Sequence, residues 1–465
     1  MTDIQNAVTD GLPTPRRYWA IVSIGLGITL AVLDGAIANV ALPSIAQDLQ
    51  ASSAASIWIV NAYQIAIVVA LLPLASLGEI VGYRRVSQAG LAVFTLASIA
   101  CVFANSIETL SLARVVQGFG AAGIMSVNGA LVRYTYPQRL LGRAVGINAV
   151  IVSLAAAAGP TIASAILAIG HWRWLFALNV PIGLLAVSLA GFTLPHNRLQ
   201  PRKLNWLGAA LNAAAFGLLI TGLQSLAHGE AAVLGFGLTG AGLAAGVLLI
   251  RHERSRTSPL IPLDLLARPM FSLSVATSII SFTAQMMAFV ALPFFLQGTL
   301  GLTAVETGLL MTPWPLATMI AAPLAGHLSD RYSAGVLGAI GLSLFACGLM
   351  ALSFLNADSS HFDIVWRMAL CGAGFGFFQS PNNRAMLSEA PKDRAGAAGG
   401  TLGMARVVGQ SLGAVVVAFL LSAAPINGVG HGFQIAAVTA LFGAVMSGSR
   451  VRRRPAEPDK EVEAV

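Results

Sequence analysis

The chain has 465 residues, of which 56% are hydrophobic and only 10% charged. A soluble domain carries about 25% charged residues, so the composition excludes a soluble globular protein and points to a polytopic membrane protein. The formal net charge of +8 does not indicate nucleic acid, because the basic residues are dispersed in short loops without a basic stripe or interleaved aromatics.

In chain order, residues 1–18 form a short polar segment that ends in Arg16-Arg17. The apolar run that follows is too long for a signal-peptide core, contains Asp34 and is succeeded by many similar runs, so it is read as a retained first span. A helix needs ~20 apolar residues to cross a bilayer. Runs of that kind cover 19–40, 57–78, 86–105, 110–131, 143–168, 174–194, 205–227, 231–250, 271–297, 304–327, 334–355, 364–386, 397–421 and 432–449, which makes fourteen. The expected fold is all-α, with both termini cytoplasmic. Of the 27 Lys and Arg residues, this arrangement puts Arg173 alone in an outside loop, while Arg114, Arg367 and Arg406 fall within spans. That excess of inside cations is the asymmetry membrane insertion favours. Cys101, Cys347 and Cys371 lie in apolar stretches without metal-ligand spacing and read as packing residues.

Asp34 is the one charge in the stretch Trp19 to Pro43. A carboxylate at membrane depth is expensive and faces a bundle interior or a water cavity. Gly27, Ala31, Asp34 and Ala38 recur at helical spacing and share one face, and small residues on it suit close helix packing. On the fourth span, Arg114, Gly118, Ala121, Met125 and Asn128 share a face in the same way. Arg114 lies ~6 Å and Asp34 ~9 Å below the outer ends of their helices, so the two charges are at similar depth and pairing would lower the cost of each. Desolvation favours the neutral carboxyl and the guanidinium favours the ionised one. A group so balanced can load and release a proton as access changes sides. The alternative is a permanent ion pair that braces the bundle.

An internal repeat divides the chain. Val40-Ala41-Leu42-Pro43 with Gln47 returns as Val290-Ala291-Leu292-Pro293 with Gln297, and Pro73-Leu74-Ala75 as Pro323-Leu324-Ala325, both at an offset of 250. Glu79 matches Asp330, Arg114 matches Arg367 and Gly142 matches Gly396 at slightly larger offsets. Two six-span halves, 19–194 and 271–450, follow, with 195–270 as a linker carrying two inserted spans and 451–465 as a cytoplasmic tail. Six-helix halves related by an axis along the membrane normal are a transporter architecture.

Four motifs resemble the major facilitator superfamily, specifically its fourteen-helix drug:proton antiporter branch. Leu33-Asp34 running into Asn39-Val40-Ala41-Leu42-Pro43 resembles that branch's first-helix motif. Arg114-Val115-Val116-Gln117-Gly118-Phe119-Gly120 is similar to its fourth-helix arginine motif. Gly159-Pro160 resembles the antiporter motif of helix five, and Trp172-Arg173-Trp174 with Asn179-Val180-Pro181 the start of helix six. The loop after helix two departs from the family's G-x-L-x-D-R-x-G-R-R: Glu79 replaces the Asp and Ile80 an Arg, though Gly82, Arg84 and Arg85 remain. The second copy keeps Gly326, Leu328, Asp330 and Arg331. Helix five has Ala155 and Ala163 at two of the family's glycine positions.

The resemblance implies a monomeric secondary active transporter of the inner cell membrane. It would use alternating access to export hydrophobic, often cationic compounds in exchange for protons, with no cofactor and no enzymatic step. Asp34 would be the proton and cation site, Arg114 its modulator and Glu306 a second acid at the outer start of helix ten. The repeat counterpart of Asp34 is Ala284, so the ionisable site sits in one half. The other half offers Phe282, Gln285, Met286 and Phe289 with Phe375 and Phe378, a soft surface suited to varied substrates or ordinary packing. Asn39, Asn61, Tyr63, Gln64, Gln117 and Met125 are the remaining candidates for a substrate cavity. The rival function is a facilitator or proton symporter for one polar metabolite. No Gly-Lys-Ser/Thr nucleotide loop supports a primary pump.

Overall fold

The computed structural model describes residues 11–452, except 138–139, 198, 201–202, 228–231, 255, 257–261, 330, 357, 391–394 and 424–427. Asp330, most of the N-terminal segment and nearly all of the tail thus lie outside the described residues. Among those described there is no strand. The first part of the chain forms α1 (Arg16–Asp48), α2 (Ser53–Val81), α3 (Tyr83–Val102), α4 (Ile107–Thr135), α5 (Leu141–Ile169), a short α6 (Arg173–Ala177) and α7 (Asn179–Thr193). Next come α8 (Trp206–Ala227), α9 (Ala232–Arg254) and a single turn, α10 (Leu263–Leu266). The rest forms α11 (Pro269–Phe294), which runs into a π turn at Phe295–Thr299, then α12 (Ala304–Met311), α13 (Pro313–Leu328), α14 (Ala334–Leu352), α15 (His361–Ser388), α16 (Ala395–Ala423) and α17 (Gly428–Ser449).

Several helices outrun the apolar stretches that predict them; α1 extends both ways, to 33 residues. Backbone hydrogen bonding does not stop where hydropathy does, so polar residues at the interface continue the helix. Ser52, Ser106, Thr303, Ser333 and Ser360 cap helix N-termini by accepting a backbone N–H two or three residues into the helix. Two expected spans are broken. Pro181 has no N–H for the carbonyl of Ala177, where α6 ends, and Pro313 and Pro315 have none for Leu309 and Met311, where α12 ends.

Thirteen candidate spans among the described residues are long and apolar enough to cross a membrane, with α6 joined to α7 and α12 to α13. α15 is not one of them. It has 28 residues, but Arg367, Gln379, Asn382 and Arg384 lower its hydropathy. The count of fourteen therefore rests on treating this more polar helix as a span.

The packing has an internal echo. In the first part α1 packs on α5 and α7, α3 on α4 and α7, and α2 on α4. In the last part α11 packs on α16 and α17, α14 on α15 and α17, and α13 on α15. α8 and α9 pair with each other, and α8 also lies against α2 and α16. Buried polar bonds fix α8 there: Asn61 Nδ2 donates to Gln224 Oε1 at 2.6 Å, and Asn212 Nδ2 to the Val69 carbonyl at 2.8 Å. The first and last parts meet where α2 and α4 contact α16, α1 contacts α11, and α5 contacts α12 and α13.

Candidate functional site: a buried carboxylate network

Asp34 sits on α1 with 2% of its surface exposed, and Arg114 on α4 is completely buried. The structure brings the two together: Arg114 Nη1 donates to Asp34 Oδ2. Asp34 Oδ1 accepts from Gln117 Nε2 at 3.0 Å and from Asn179 Nδ2 at 2.7 Å. Arg114 also donates to Gln117 Oε1 at 2.6 Å and, through Nε, to the Ile59 carbonyl at 3.2 Å. Gln117 Nε2 reaches Ser98 Oγ at 2.8 Å. The guanidinium carbon lies 4.0 Å from the Tyr63 ring centroid and 5.6 Å from that of Phe176. Tyr63 in turn donates its hydroxyl proton to the Ala31 carbonyl at 2.9 Å.

The network thus gathers α1, α2, α3, α4, α6 and α7 around one carboxylate. Each ion is expensive away from water, and the penalty is offset only when the pair is close and the remaining polar atoms are bonded. Asp34 meets that condition with both oxygens occupied. A protonated Asp34 would keep the Gln117 and Asn179 contacts but weaken its hold on Arg114, because only the ionised form attracts the guanidinium. A proton arriving at this carboxyl therefore loosens the tie between α1 and α4. In the sequence Asn179 stands out only as part of the helix-six motif, and Ser98 carries no signal, being one hydroxyl in an apolar run.

The other expected residues have different settings. Glu306 is the third residue of α12 and closes a capping box: its Oε2 accepts from the Thr303 N–H and hydroxyl, both at 2.8 Å. Among the described residues it shares no hydrogen-bond partner with Asp34. Asn61 is bonded to α8 and has no exposed surface, so it holds helices together rather than lining open space. Gln64 links three helices, accepting from Ser411 Oγ at 3.3 Å and lying 4.0 Å from Met286 Sδ. Asn39 is buried and donates to the Gly35 carbonyl of its own helix at 3.0 Å. Met125 and Gln285 are half-buried.

The aromatic surface expected in the last part is closed. Phe282, Phe375 and Phe378 are buried, with ring centroids 5.3 Å apart for Phe282–Phe375 and 6.2 Å for Phe375–Phe378. Phe345 extends the cluster to Trp314, which Phe289 meets edge-on at 4.9 Å. Edge-to-face pairing fills the space between α11, α13, α14 and α15 that an open cavity would need. Met286 is buried beside it.

The loop motif after α2 is latched locally. Gly82, with φ of +111°, joins α2 directly to α3, a conformation that side chains rarely adopt. Asn197 Oδ1 accepts from the Tyr83 N–H at 2.8 Å, and the Glu79 carbonyl accepts from the Gln200 N–H at 2.8 Å. Arg84 donates to the Gly191 carbonyl, and Arg85 to the Val81 carbonyl at 3.3 Å. The hydrogen bonds of Tyr83, Glu79 and Arg84 thus reach α7 and the residues just after it, while the Tyr83 ring meets Tyr134 of α4 at 5.8 Å. In its second copy Arg331 continues the turn after α13, its N–H bonded to the Leu328 carbonyl at 3.0 Å.

Gly159 and Pro160 lie between the two parts of the molecule. A Cβ on Gly159 would stand 2.4 Å from the Cβ of Ala36 on α1. On the other side, a Cβ on Gly308 of α12 would stand 2.4 Å from the Pro160 carbonyl oxygen, and Thr161 Oγ1 and Thr312 Oγ1 are 2.7 Å apart. Arg450, expected in an inside-facing loop, is buried instead. It donates to Ser274 Oγ at 2.8 Å and Asn382 Oδ1 at 2.7 Å, tying the end of α17 to α11 and α15. An arginine at the end of an apolar run reads as loop whether or not it turns back into the bundle.

Comparison with known proteins matches residues 24–414 and 275–464 to the family described as Major Facilitator Superfamily. A protein of Escherichia coli (strain K12) named uncharacterized transporter YebQ is 53% identical over 444 residues, covering 95% of this chain and 97% of its own. Multidrug resistance protein Stp of Mycobacterium tuberculosis (strain H37Rv) is 31% identical, covering 87% of this chain and 75% of its own. Riboflavin transporter RibZ of Clostridioides difficile (strain 630) is 29% identical, covering 86% and 87%. Among solved structures, a bacterial homologue of the human lysosomal transporter Spinster, inward-facing and unoccupied, superposes with a TM-score of 0.65 at 14% identity, over 94% of this chain and 96% of that one. The chain is a multi-pass membrane protein of the Major Facilitator Superfamily.

Proposed function

We propose that the protein is a secondary active transporter that exports hydrophobic small molecules in exchange for protons, with Asp34 as the proton site and Arg114 as its modulator. The observation that carries this reading is the network itself: a carboxylate 2% exposed, held between α1, α4 and α7 by one guanidinium and two amides. An intramembrane carboxylate marks an ion pathway more often than a scaffold, and here its charge state decides how tightly α1 is held to α4. The relative named for multidrug resistance supports export.

In this reading α15 is a further span and the chain has fourteen, as in the drug:proton antiporter branch. The parallel packing of α1–α7 and α11–α17 supports two halves, 19–194 and 271–450, joined through 195–270. The protein works as a monomer in the inner cell membrane with both termini cytoplasmic. Alternating access opens and closes the contacts of α5 with α12, where Gly308 meets Pro160. The relative named a riboflavin transporter favours a second reading, transport of one polar metabolite.

Dye export from everted vesicles tests the proposal. An imposed pH gradient should drive it, and its collapse should abolish it, with ATP absent throughout. ATP-dependent, gradient-independent export would overturn the class, and gradient-driven movement of a single metabolite alone would select the second reading.

A further inference from the structure

Arg406 makes no hydrogen bond to the network above among the described residues. It lies on α16, 11 residues into a helix of 29 residues, which is about 16 Å along a rod of about 43 Å. Helix α16 packs on α11 and also on α2, α4 and α8. Arg406 therefore stands on a helix at the boundary between the first and last parts of the molecule, at middle depth. Its backbone neighbours Ala405 and Val407 are each only 2% exposed, and its own side chain is half-buried. It lies within electrostatic reach of Tyr63 on α2. Among the described residues it makes no hydrogen bond, ion pair or ring contact.

A guanidinium at membrane depth pairs with an anion or a carbonyl, or it faces water. Arg114 follows the first rule, paired with Asp34. Arg406 does not. Asp34 is already matched by Arg114, so the described mid-membrane residues of α1, α2, α4, α11 and α16 carry one uncompensated positive charge. The surroundings also admit a bound organic molecule: Gln410 follows one helical turn later and, like Arg406, is half-buried, so neither side chain is fully packed away. Substrate sites in this architecture lie near the midplane at the interface between repeats.

We infer that Arg406 is the specificity determinant of the transport site and that the substrates are hydrophobic molecules bearing an acidic group, a carboxylate or phenolate, which pairs with its guanidinium. This inference rests on the transport reading above and replaces the cationic substrates that the sequence resemblance implies. An anion at Arg406 supplies the missing counter-charge with directional N–H donors. A cation would meet like charge in a medium that screens it poorly.

The test uses the full chain and three dyes on one xanthene scaffold: anionic fluorescein, a zwitterionic rhodamine and the cationic methyl ester of that rhodamine. Binding to purified protein is read by fluorescence anisotropy without any gradient, and export is read in proteoliposomes with one. Wild-type protein should bind fluorescein most tightly and the ester most weakly. Arg406→Gln should weaken fluorescein binding about tenfold or more, as expected when a charge-assisted hydrogen bond disappears, and leave the ester unchanged or improved. Arg406→Lys should recover part of the loss because it restores the charge. Tightest binding of the ester, no binding of fluorescein, or an equal loss for all three dyes in Arg406→Gln would overturn the inference. Arg406-dependent binding of fluorescein without gradient-driven export would instead overturn the transport reading and leave the anion site standing.

Discussion

Removing Arg114 leaves Asp34 buried with no cation in contact among the described residues, and the consequence can be estimated from the network. Breaking a buried ion pair by deleting one partner costs about 3–5 kcal/mol. Asp34 keeps two amide donors, Gln117 and Asn179, which puts the charge contribution near the lower end, about 3 kcal/mol. Loss of the guanidinium over the Tyr63 ring, 4.0 Å away, adds about 1–2 kcal/mol. Arg114→Ala should therefore destabilise by about 4–5 kcal/mol. Asp34→Asn leaves Arg114 with the Ile59 carbonyl, Gln117 Oε1 and the Tyr63 ring, so it should be milder, about 2–3 kcal/mol. The double variant contains no unpaired charge and should be more stable than the sum of the singles predicts, with a coupling energy of about 2–3 kcal/mol. Unfolding in mixed detergent micelles, followed by tryptophan fluorescence, measures all three variants on one scale. A coupling energy below about 0.5 kcal/mol would refute an energetically linked pair.

Gly308→Ala would put a Cβ 1.6 Å from Ser164 Oγ and 2.4 Å from the Pro160 oxygen, so it should lower transport rate severely. Gly298→Ala, which meets nothing within 4 Å, should be silent, and equal effects of the two would dismiss the α5–α12 contact as a moving interface. Cysteines at Thr161 and Thr312, whose hydroxyls are 2.7 Å apart, should form a disulfide on oxidation that stops transport until it is reduced; undiminished transport by the crosslinked protein would rule out separation of α5 and α12 during the cycle. Reporter fusions at Leu199, Thr257 and the C-terminus should all report the cytoplasmic side. An external signal at Thr257 with an internal one at Leu199 would remove one span.

The legible features were those carried by helical period. Small residues at helical spacing put Asp34 and Arg114 on inward faces, so their meeting could be anticipated, but not from depth: α1 runs 14 residues beyond Asp34 and α4 starts seven before Arg114, so the ends of the apolar runs are no gauge of level. The amides that complete the network were harder to see. Asn179 starts α7 beyond the break at Leu178, and its aim depends on how α6 ends. Ser98 carries no charge to betray it. Hydropathy also ranks side chains without telling open surface from packed surface: Phe282, Phe375 and Phe378 have the composition of a binding surface and form a closed ring cluster. Arg406 shows the converse. Its position within a span is plain from the sequence, but only the arrangement of the helices reveals a cation without a partner among the described residues.

The most direct test of the coupling claim compares wild-type protein with Asp34→Asn in proteoliposomes, measuring substrate exchange at equal pH and net export driven by a pH gradient. Asp34→Asn keeps the side-chain volume and cannot titrate. Exchange at equal pH shows that the variant is folded and still binds and moves its substrate. The account predicts that Asp34→Asn retains exchange and loses gradient-driven export. Export by Asp34→Asn that still follows the pH gradient at the wild-type level would contradict it.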